Sequence, residues 1–244
     1  MRLSGRRIVI SGASKGLGKA LAQRFAREGA KLALCARHST VLEAVAKELQ
    51  EIGTDVVWKA CDIGDPAQVA KFVTSVLNKF DSVDVLVNNA SAVAPLKPVV
   101  DYETDEWEDV IRTNVNGLFY LTRGFLPSMI ERKSGMIINV SSSVGRTIRA
   151  QWGAYAVTKY GMEGFTQLLA EELRPYNVHV NSVNPGAMAT AMRKVVHPEE
   201  DQTILRKPEM LTDLFVYLAS NDGLGISGQQ FDASTYIAQP KEKP

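Results

Sequence analysis

Tyr155 and Lys159 stand four residues apart in a stretch, 154–173, whose pattern predicts a helix, so both side chains leave the same face. A phenol with an ordinary pKa near 10 is a poor base at neutral pH, but an ammonium beside it favours the phenolate and brings it toward a working range. Ser142, in Asn139-Val140-Ser141-Ser142-Ser143, follows a predicted strand at 136–140. Ligands of open α/β sheets bind outside the carboxyl ends of the strands, so this serine belongs to the same crevice. The three groups fit one chemistry: Tyr155 gives a proton to a carbonyl oxygen while hydride reaches its carbon, and Ser142 hydrogen-bonds that oxygen as charge develops. Oxidation of an alcohol runs the same steps backward. As ordinary surface residues, Tyr155 would reach solvent and Lys159 would be solvated; Ser142 and a glycine-rich loop elsewhere in the chain weigh against that.

Hydride needs a donor, and Ser11-Gly12-Ala13-Ser14-Lys15-Gly16-Leu17-Gly18 supplies the site for one. The loop joins a predicted strand to an amphipathic helix with Leu17, Ala20, Leu21 and Phe25 on its inner face. Glycine there permits a tight turn and close backbone approach, and the free amides of the helix N-terminus attract a pyrophosphate. The second predicted strand ends Cys35-Ala36-Arg37-His38, with no carboxylate to take the ribose 2′-hydroxyl of NAD. Arg37, with Lys15 in the loop, is placed for a 2′-phosphate, so the pair predicts NADP(H), although either base alone is equally well a surface charge. Asp62, beside Ile63, ends the third strand and reads either as an acceptor for the adenine amino group or as a helix-cap neighbour. Asn89, in Asn88-Asn89-Ala90-Ser91, suits a strand-end crossing.

Short β-branched runs at 7–11, 31–35, 55–59, 84–87, 136–140, 179–183 and 229–231 alternate with helical patterns, the signature of βαβ units feeding a parallel sheet. Asp65 is placed to cap a helix that starts at Pro66 and buries Val69, Phe72, Val73, Val76, Leu77 and Phe80; Thr104-Asp105-Glu106 opens another. The rhythm is unbroken, predicting one domain over 1–238 and a frayed tail at 239–244. A net charge of +1 gives no field for nucleic acid or an anionic membrane. The start of the chain does not read as a signal peptide and no apolar run is of spanning length, predicting a cytoplasmic protein with a small-molecule partner. Cys35 and Cys61 read as buried thiols, and no metal site is expected.

Taken together, Ser11 to Gly18, Asn88 to Ala90, Ser142 with Tyr155 and Lys159, and Pro185-Gly186 with Thr190 resemble the motifs of the short-chain dehydrogenases/reductases, in family order and over nearly the whole chain. The resemblance implies a doubly wound Rossmann fold, an α/β architecture with a seven-stranded parallel sheet ordered 3-2-1-4-5-6-7 and helices on both faces. It implies that Pro185, Gly186 and Thr190 meet the carboxamide of the nicotinamide, and that Asn114 holds a water linking the lysine to solvent. It also implies a homo-oligomer, a dimer or tetramer, with the two long helices flanking the fifth strand as the dimer surface. Ser91 stands where the family usually has glycine and is expected to crowd the backbone without touching a catalytic atom. Phe231-Asp232-Ala233-Ser234 departs from a common Val-Asp-Gly-Gly ending, which bears on tetramer packing. Substrate choice is expected in 187–207, with Val144, Arg146, Trp152 and Met188 near the reacting carbon and His197 in a loop. A ketone, a β-ketoacyl thioester or a polyol fits such a segment; length and layout, similar to bacterial 3-oxoacyl-carrier-protein reductases, favour the thioester. The reading from another class is an NADP-binding module without turnover.

Overall fold

The computed structural model describes residues 1–236. The strands are β1 (Arg7–Ser11), β2 (Lys31–Ala36), β3 (Val56–Ala60), β4 (Val85–Asn88), β5 (Gly135–Val140), β6 (Val178–Asn184) and β7 (Gln230–Asp232). They form one sheet ordered β3-β2-β1-β4-β5-β6-β7, and every neighbouring pair is parallel. Each expected strand is present, with ends displaced by a residue or so. The helices are α1 (Gly16–Arg27), α2 (Ser39–Glu51), α3 (Pro66–Phe80), α4 (Thr104–Ile111), α5 (Gly117–Glu131), α6 (Gly153–Glu172), α7 (Ala191–Val196) and α8 (Asp213–Ala219). The expected tail at 239–244 lies outside the described residues.

Alternation along each strand divides the apolar residues between two cores. Ile8, Ile10, Leu32, Leu34 and Ile138 face α1, α2 and α8, while Val9, Ala33, Leu86 and Ile137 face α3, α5 and α6. Strands covered on both faces must be apolar throughout, which is why β1, β2 and β4 read as continuous hydrophobic runs. The start of α3 is built as its sequence dictates: Asp65 accepts from the amides of Ala67 and Gln68, and Pro66 occupies a position where its missing N–H is not needed. Opposite it, Phe72 meets Phe125 of α5 edge to face, centroids 6.2 Å apart at 85°.

At the end of the sheet away from the glycine loop, Asp84 fixes the approach of β4 to β1. Its carboxylate accepts from the Arg7 amide at 2.8 Å and from the Arg7 guanidinium at 2.9 and 2.8 Å, and Arg132 adds a contact at 3.1 Å. Burial alone would raise the pKa of this carboxyl, but the Arg7 bonds and the two guanidinium charges outweigh it and hold the group below the usual carboxylate range.

Phe125 is fully buried, so Phe125→Ala removes the ring contact and leaves a cavity; a loss of about 3–5 kcal/mol is expected. Urea unfolding followed by far-UV circular dichroism measures it, and a loss below about 1 kcal/mol would mean that this core collapses around the gap.

Candidate active site

A cavity of about 650 Å³ opens at the carboxyl ends of β1, β2, β4, β5 and β6. Its wall includes Gly12, Ser14, Lys15, Gly16, Leu17, Arg37, Asp62, Ile63, Asn89, Ser142, Tyr155, Lys159, Pro185, Gly186 and Thr190. Sequence reasoning brought those residues to one place; two of its candidates, Gly18 and Asn114, lie behind the wall.

Gly18 is where α1 meets the loop. A Cβ there would stand 2.2 Å from the Gly12 carbonyl oxygen and 2.6 Å from Asn89 Nδ2, so only glycine lets the helix start this close to the strand end. Gly12 itself has φ +67°, and a Cβ on it would meet the Ala90 backbone at 2.8 Å. Asn89 clamps the same loop, its Nδ2 donating to the carbonyls of Ser11 at 2.9 Å and Gly12 at 3.3 Å, while Ser11 Oγ accepts from the amides of Asn89 and Ala90. The loop is therefore held from below, with the first turn of α1 facing the cavity. Its N-cap residue, Lys15, provides no side-chain acceptor and the first turn carries no acid, which leaves those amides and their partial positive charge to an anionic ligand.

Arg37 and Lys15 both line the cavity, and neither forms an ion pair among the described residues. Asp62 does: Arg112 donates to it at 2.8 Å and the Gly64 amide at 2.9 Å. Arg112 thus fixes the carboxylate from outside the cavity, a partner fifty residues away that no local pattern signalled. The glycine cradle, the uncapped helix start and two unpaired bases fit a dinucleotide carrying a 2′-phosphate.

Across the cavity, Ser142 lies just beyond β5, and Tyr155 and Lys159 project from the first turns of α6. Lys159 is 2% exposed; its Nζ donates to the Val140 carbonyl at 2.7 Å and lies 5.4 Å from the centre of the Tyr155 ring. Burial brings the ammonium down to about 8, against the nearby charge of Glu163, which raises it. The expected effect of Lys159 on Tyr155 does not emerge from the side chains alone. Burial pushes the phenol up to about 12, and only the hydroxyls of Ser142 and Ser91 pull the other way. Such a phenol is protonated throughout the neutral range, the state a proton donor requires.

Ser91, expected to crowd the backbone without touching a catalytic atom, instead meets Asn114. Its hydroxyl donates to Asn114 Oδ1 at 3.1 Å, within the set of expected site residues. Asn114 sits in a π-helical turn, Arg112–Asn116, between α4 and α5. Its side chain is fully engaged: Oδ1 accepts from the Ala92 amide at 2.7 Å, and Nδ2 donates to the Ala92 carbonyl at 2.9 Å and to Thr158 Oγ at 3.1 Å. A water held by Asn114 would accordingly have to use its main chain, and π-turns do disturb the regular pairing of helix carbonyls.

Two expectations about the substrate side also change. Arg146 is not near the reacting carbon; it pairs with Glu163 at 3.1 Å and Asp232 at 3.2 Å, behind α6. Val144 is buried in the small cluster that holds Tyr155. Of the four, Trp152 and Met188 do line the cavity, together with Arg149, Val93 and Met192. His197 lies in the loop just after α7 and packs against Trp152, ring centres 5.9 Å apart, while Trp152 lies 5.7 Å from Tyr155. The segment 187–207 is consequently structured: Thr190 Oγ caps α7, Arg193 and Glu200 pair at 2.6 Å, and Arg206 donates to the Ser234 carbonyl at 2.7 Å.

The family model described as short chain dehydrogenase matches residues 6–201. The chain is 34% identical over 245 residues to an uncharacterized oxidoreductase, YciK, of Escherichia coli, covering 99% of this chain and 95% of that protein. It is 33% identical over 237 residues to the 3-oxoacyl-[acyl-carrier-protein] reductase FabG of Thermotoga maritima, covering 94% and 96%. A short chain dehydrogenase structure from Shigella flexneri, complexed with NADP, superposes with a TM-score of 0.90 at 32% identity, covering 96% of this chain and 98% of that one.

Because a Cβ at Gly18 meets main-chain atoms that cannot move aside, Gly18→Ala is expected to cost roughly 1–3 kcal/mol of stability and to displace the loop. Thermal unfolding with and without NADP+ reads both: a lower melting temperature, and a smaller rise on adding the dinucleotide. An unchanged rise would mean that the loop tolerates the shift.

Proposed function

The chain belongs to the short-chain dehydrogenase family, and on that premise we propose that it is an NADPH-dependent reductase of a carbonyl group, with Tyr155 as the proton donor. The observation that carries the reading is the meeting, in one cavity, of an open helix N-terminus with its glycine loop and the Ser142, Tyr155, Lys159 set. Bound NADPH supplies hydride to the carbonyl carbon. Gly12, Gly16 and the amides of α1 hold the pyrophosphate; Arg37 and Lys15 take the 2′-phosphate. Asp62 with Ile63 borders the adenine, Asn89 keeps the loop in place, and Pro185, Gly186 and Thr190 border the nicotinamide end.

Tyr155, neutral at physiological pH, gives its proton to the carbonyl oxygen, and Ser142 donates a hydrogen bond to that oxygen as negative charge builds on it. Lys159, charged below its pKa of about 8, faces the phenolate that forms and stabilises it. Both sides of this match demand a neutral phenol and a charged amine, so activity in the reducing direction is flat through neutral pH and falls as pH rises through about 8.

The leading substrate class is a β-ketoacyl thioester. Val93, Trp152, Met188 and Met192 offer an apolar wall for an acyl chain, and Arg149 lines the same cavity with no ion pair among the described residues, suited to a phosphate-bearing carrier. The similarity to 3-oxoacyl-[acyl-carrier-protein] reductases supports the same class. We further assign a homodimer through α5 and α6, on which Phe119, Val157, Tyr160 and Leu168 are exposed, and a cytoplasmic setting that keeps Cys35 and Cys61 reduced.

Loss of reduced-nicotinamide absorbance with acetoacetyl-CoA and a panel of ketones, NADPH beside NADH, tests the reading. Turnover with NADPH well above NADH supports it; tight NADPH binding with no turnover on any carbonyl would favour a binding module. Tyr155→Phe is expected to lower kcat at least about a hundredfold while NADPH binding, read by fluorescence, stays nearly unchanged. Ala36→Asp with Arg37→Ala is expected to reduce the NADPH-over-NADH preference by at least about tenfold in kcat/KM, and an unmoved ratio would remove Arg37 from the 2′-phosphate.

A further inference from the structure

The turn at 149–153, which leads into α6, is held in a conformation its residues do not favour. Gln151 has φ +71°, in the left-handed region that a residue with a Cβ rarely adopts, and Gly153 has φ +36°. Two contacts with the segment after β4 keep the turn there. The Lys97 amide donates to the Gln151 carbonyl at 3.1 Å, and Tyr102 packs so close to Gly153 that a Cβ there would stand 2.5 Å from the phenol oxygen. Tyr102 is itself fixed, with Lys97 Nζ 5.3 Å from its ring centre and Trp107 edge to face at 6.1 Å. Lys97 in turn pairs with Glu106 of α4.

This strained turn puts two side chains on the cavity wall, Arg149 and Trp152. The indole of Trp152 lies between Tyr155, at 5.7 Å, and His197, at 5.9 Å, so it sits beside the reacting end and is buttressed from the segment after α7. Arg149, three residues earlier, is exposed and has no ion pair among the described residues. The other charges of the wall are accounted for. Arg193 pairs with Glu200 at 2.6 Å, and Asp62, the one carboxylate on the wall among the described residues, is bonded by Arg112. Arg37 follows β2, three strands from β5 and ~14 Å away across the sheet. The guanidiniums of Arg37 and Arg149 therefore address different groups.

We propose that this turn is a substrate clamp: Trp152 covers the part of the substrate beside its carbonyl, and the Arg149 guanidinium binds an oxyanion carried by the same molecule. The substrate class is a keto compound whose carboxylate or phosphate is separated from the carbonyl by an apolar stretch, which Val93, Met188 and Met192 line. A planar guanidinium offers paired donors that match either oxyanion, and no carboxylate competes for it at this end of the cavity among the described residues. Arg149 is then a specificity-determining residue that takes no part in proton transfer, and the constrained backbone at Gln151 and Gly153 is what keeps ring and charge on one wall.

The inference rests on the carbonyl-reductase reading, and the test separates the two. Wild type, Arg149→Gln and Arg149→Lys are assayed with saturating NADPH on two matched pairs: acetoacetyl-CoA against acetoacetyl-pantetheine, which lacks the phosphates, and levulinate against its methyl ester, which lacks the carboxylate. In Arg149→Gln the preference for the charged member of at least one pair, as kcat/KM, is expected to fall at least about tenfold, mostly through KM, and Arg149→Lys to keep most of it. The pair that responds tells phosphate from carboxylate. No preference for a charged member in wild type, or one that Arg149→Gln leaves unmoved, overturns the proposal. Where no ketone is reduced at all, isothermal titration calorimetry of the NADP+-saturated protein with CoA and with levulinate reads the same site, NADP+ keeping CoA from the Arg37 end. An affinity that Arg149→Gln weakens about tenfold then upholds the clamp while the reductase reading falls; an affinity that it leaves unchanged, or that wild type lacks for both anions, overturns the clamp as well.

Discussion

An ammonium withdrawn from water has to be kept charged by its surroundings, and the centre of this molecule is arranged around that demand at Lys159. Desolvation draws its proton off, and among the described residues its one direct acceptor oxygen is the Val140 carbonyl at the end of β5. That contact fixes α6 against β5, and with it the position of Tyr155 one turn earlier. Behind it, Glu163 adds negative charge and is itself held by Arg146, Ser182 and Gln230. Arg146 continues to Asp232 on β7 and to the Phe231 carbonyl. The charge state of one lysine thus draws together α6, the turn after β5, β6 and the last strand of the sheet.

A second buried polar chain crosses the sheet beneath the site. Asn88 on β4 donates to Asn139 on β5 at 2.9 Å and to Thr122 on α5, and Asn139 donates to Thr166 on α6. Polar side chains in a core are tolerated only when paired, and their directionality then sets a register that apolar contacts leave loose. Here they align the ends of β4 and β5, the strands that lead into Ser91 and Ser142 on the cavity wall.

Much of this was legible in the sequence because its cause is local. A strand buried on both faces is a continuous apolar run, a helix start has its Asp65-Pro66 signature, and Gly12, Gly16 and Gly18 are separated by the pitch of a turn they themselves make possible. Tyr155 and Lys159 share a face because a helix places them there. What was not legible depends on partners remote in the chain. Arg146 read as a substrate contact because it follows Ser142 closely, yet Glu163 and Asp232 draw it away. Ser91 read as a crowded glycine position because nothing near it in sequence reveals Asn114. The phenol of Tyr155 was expected to be lowered by Lys159, and burial, invisible in a one-dimensional pattern, outweighs that.

The tie between Arg206 and the Ser234 carbonyl has a bearing on timing. Gly186, with φ +80°, begins the segment over the cavity, and a Cβ on it would lie 3.2 Å from Ser234; Arg206, near the other end, grips the same residue. Both ends of the segment are therefore seated on one short stretch beyond β7. A movement of this segment would have to break both contacts or carry Ser234 with it, so its freedom depends on the stretch after β7 as well as on the groups beside the cavity. Chains with identical reacting residues and different endings can on this account share an intrinsic barrier and still differ in turnover.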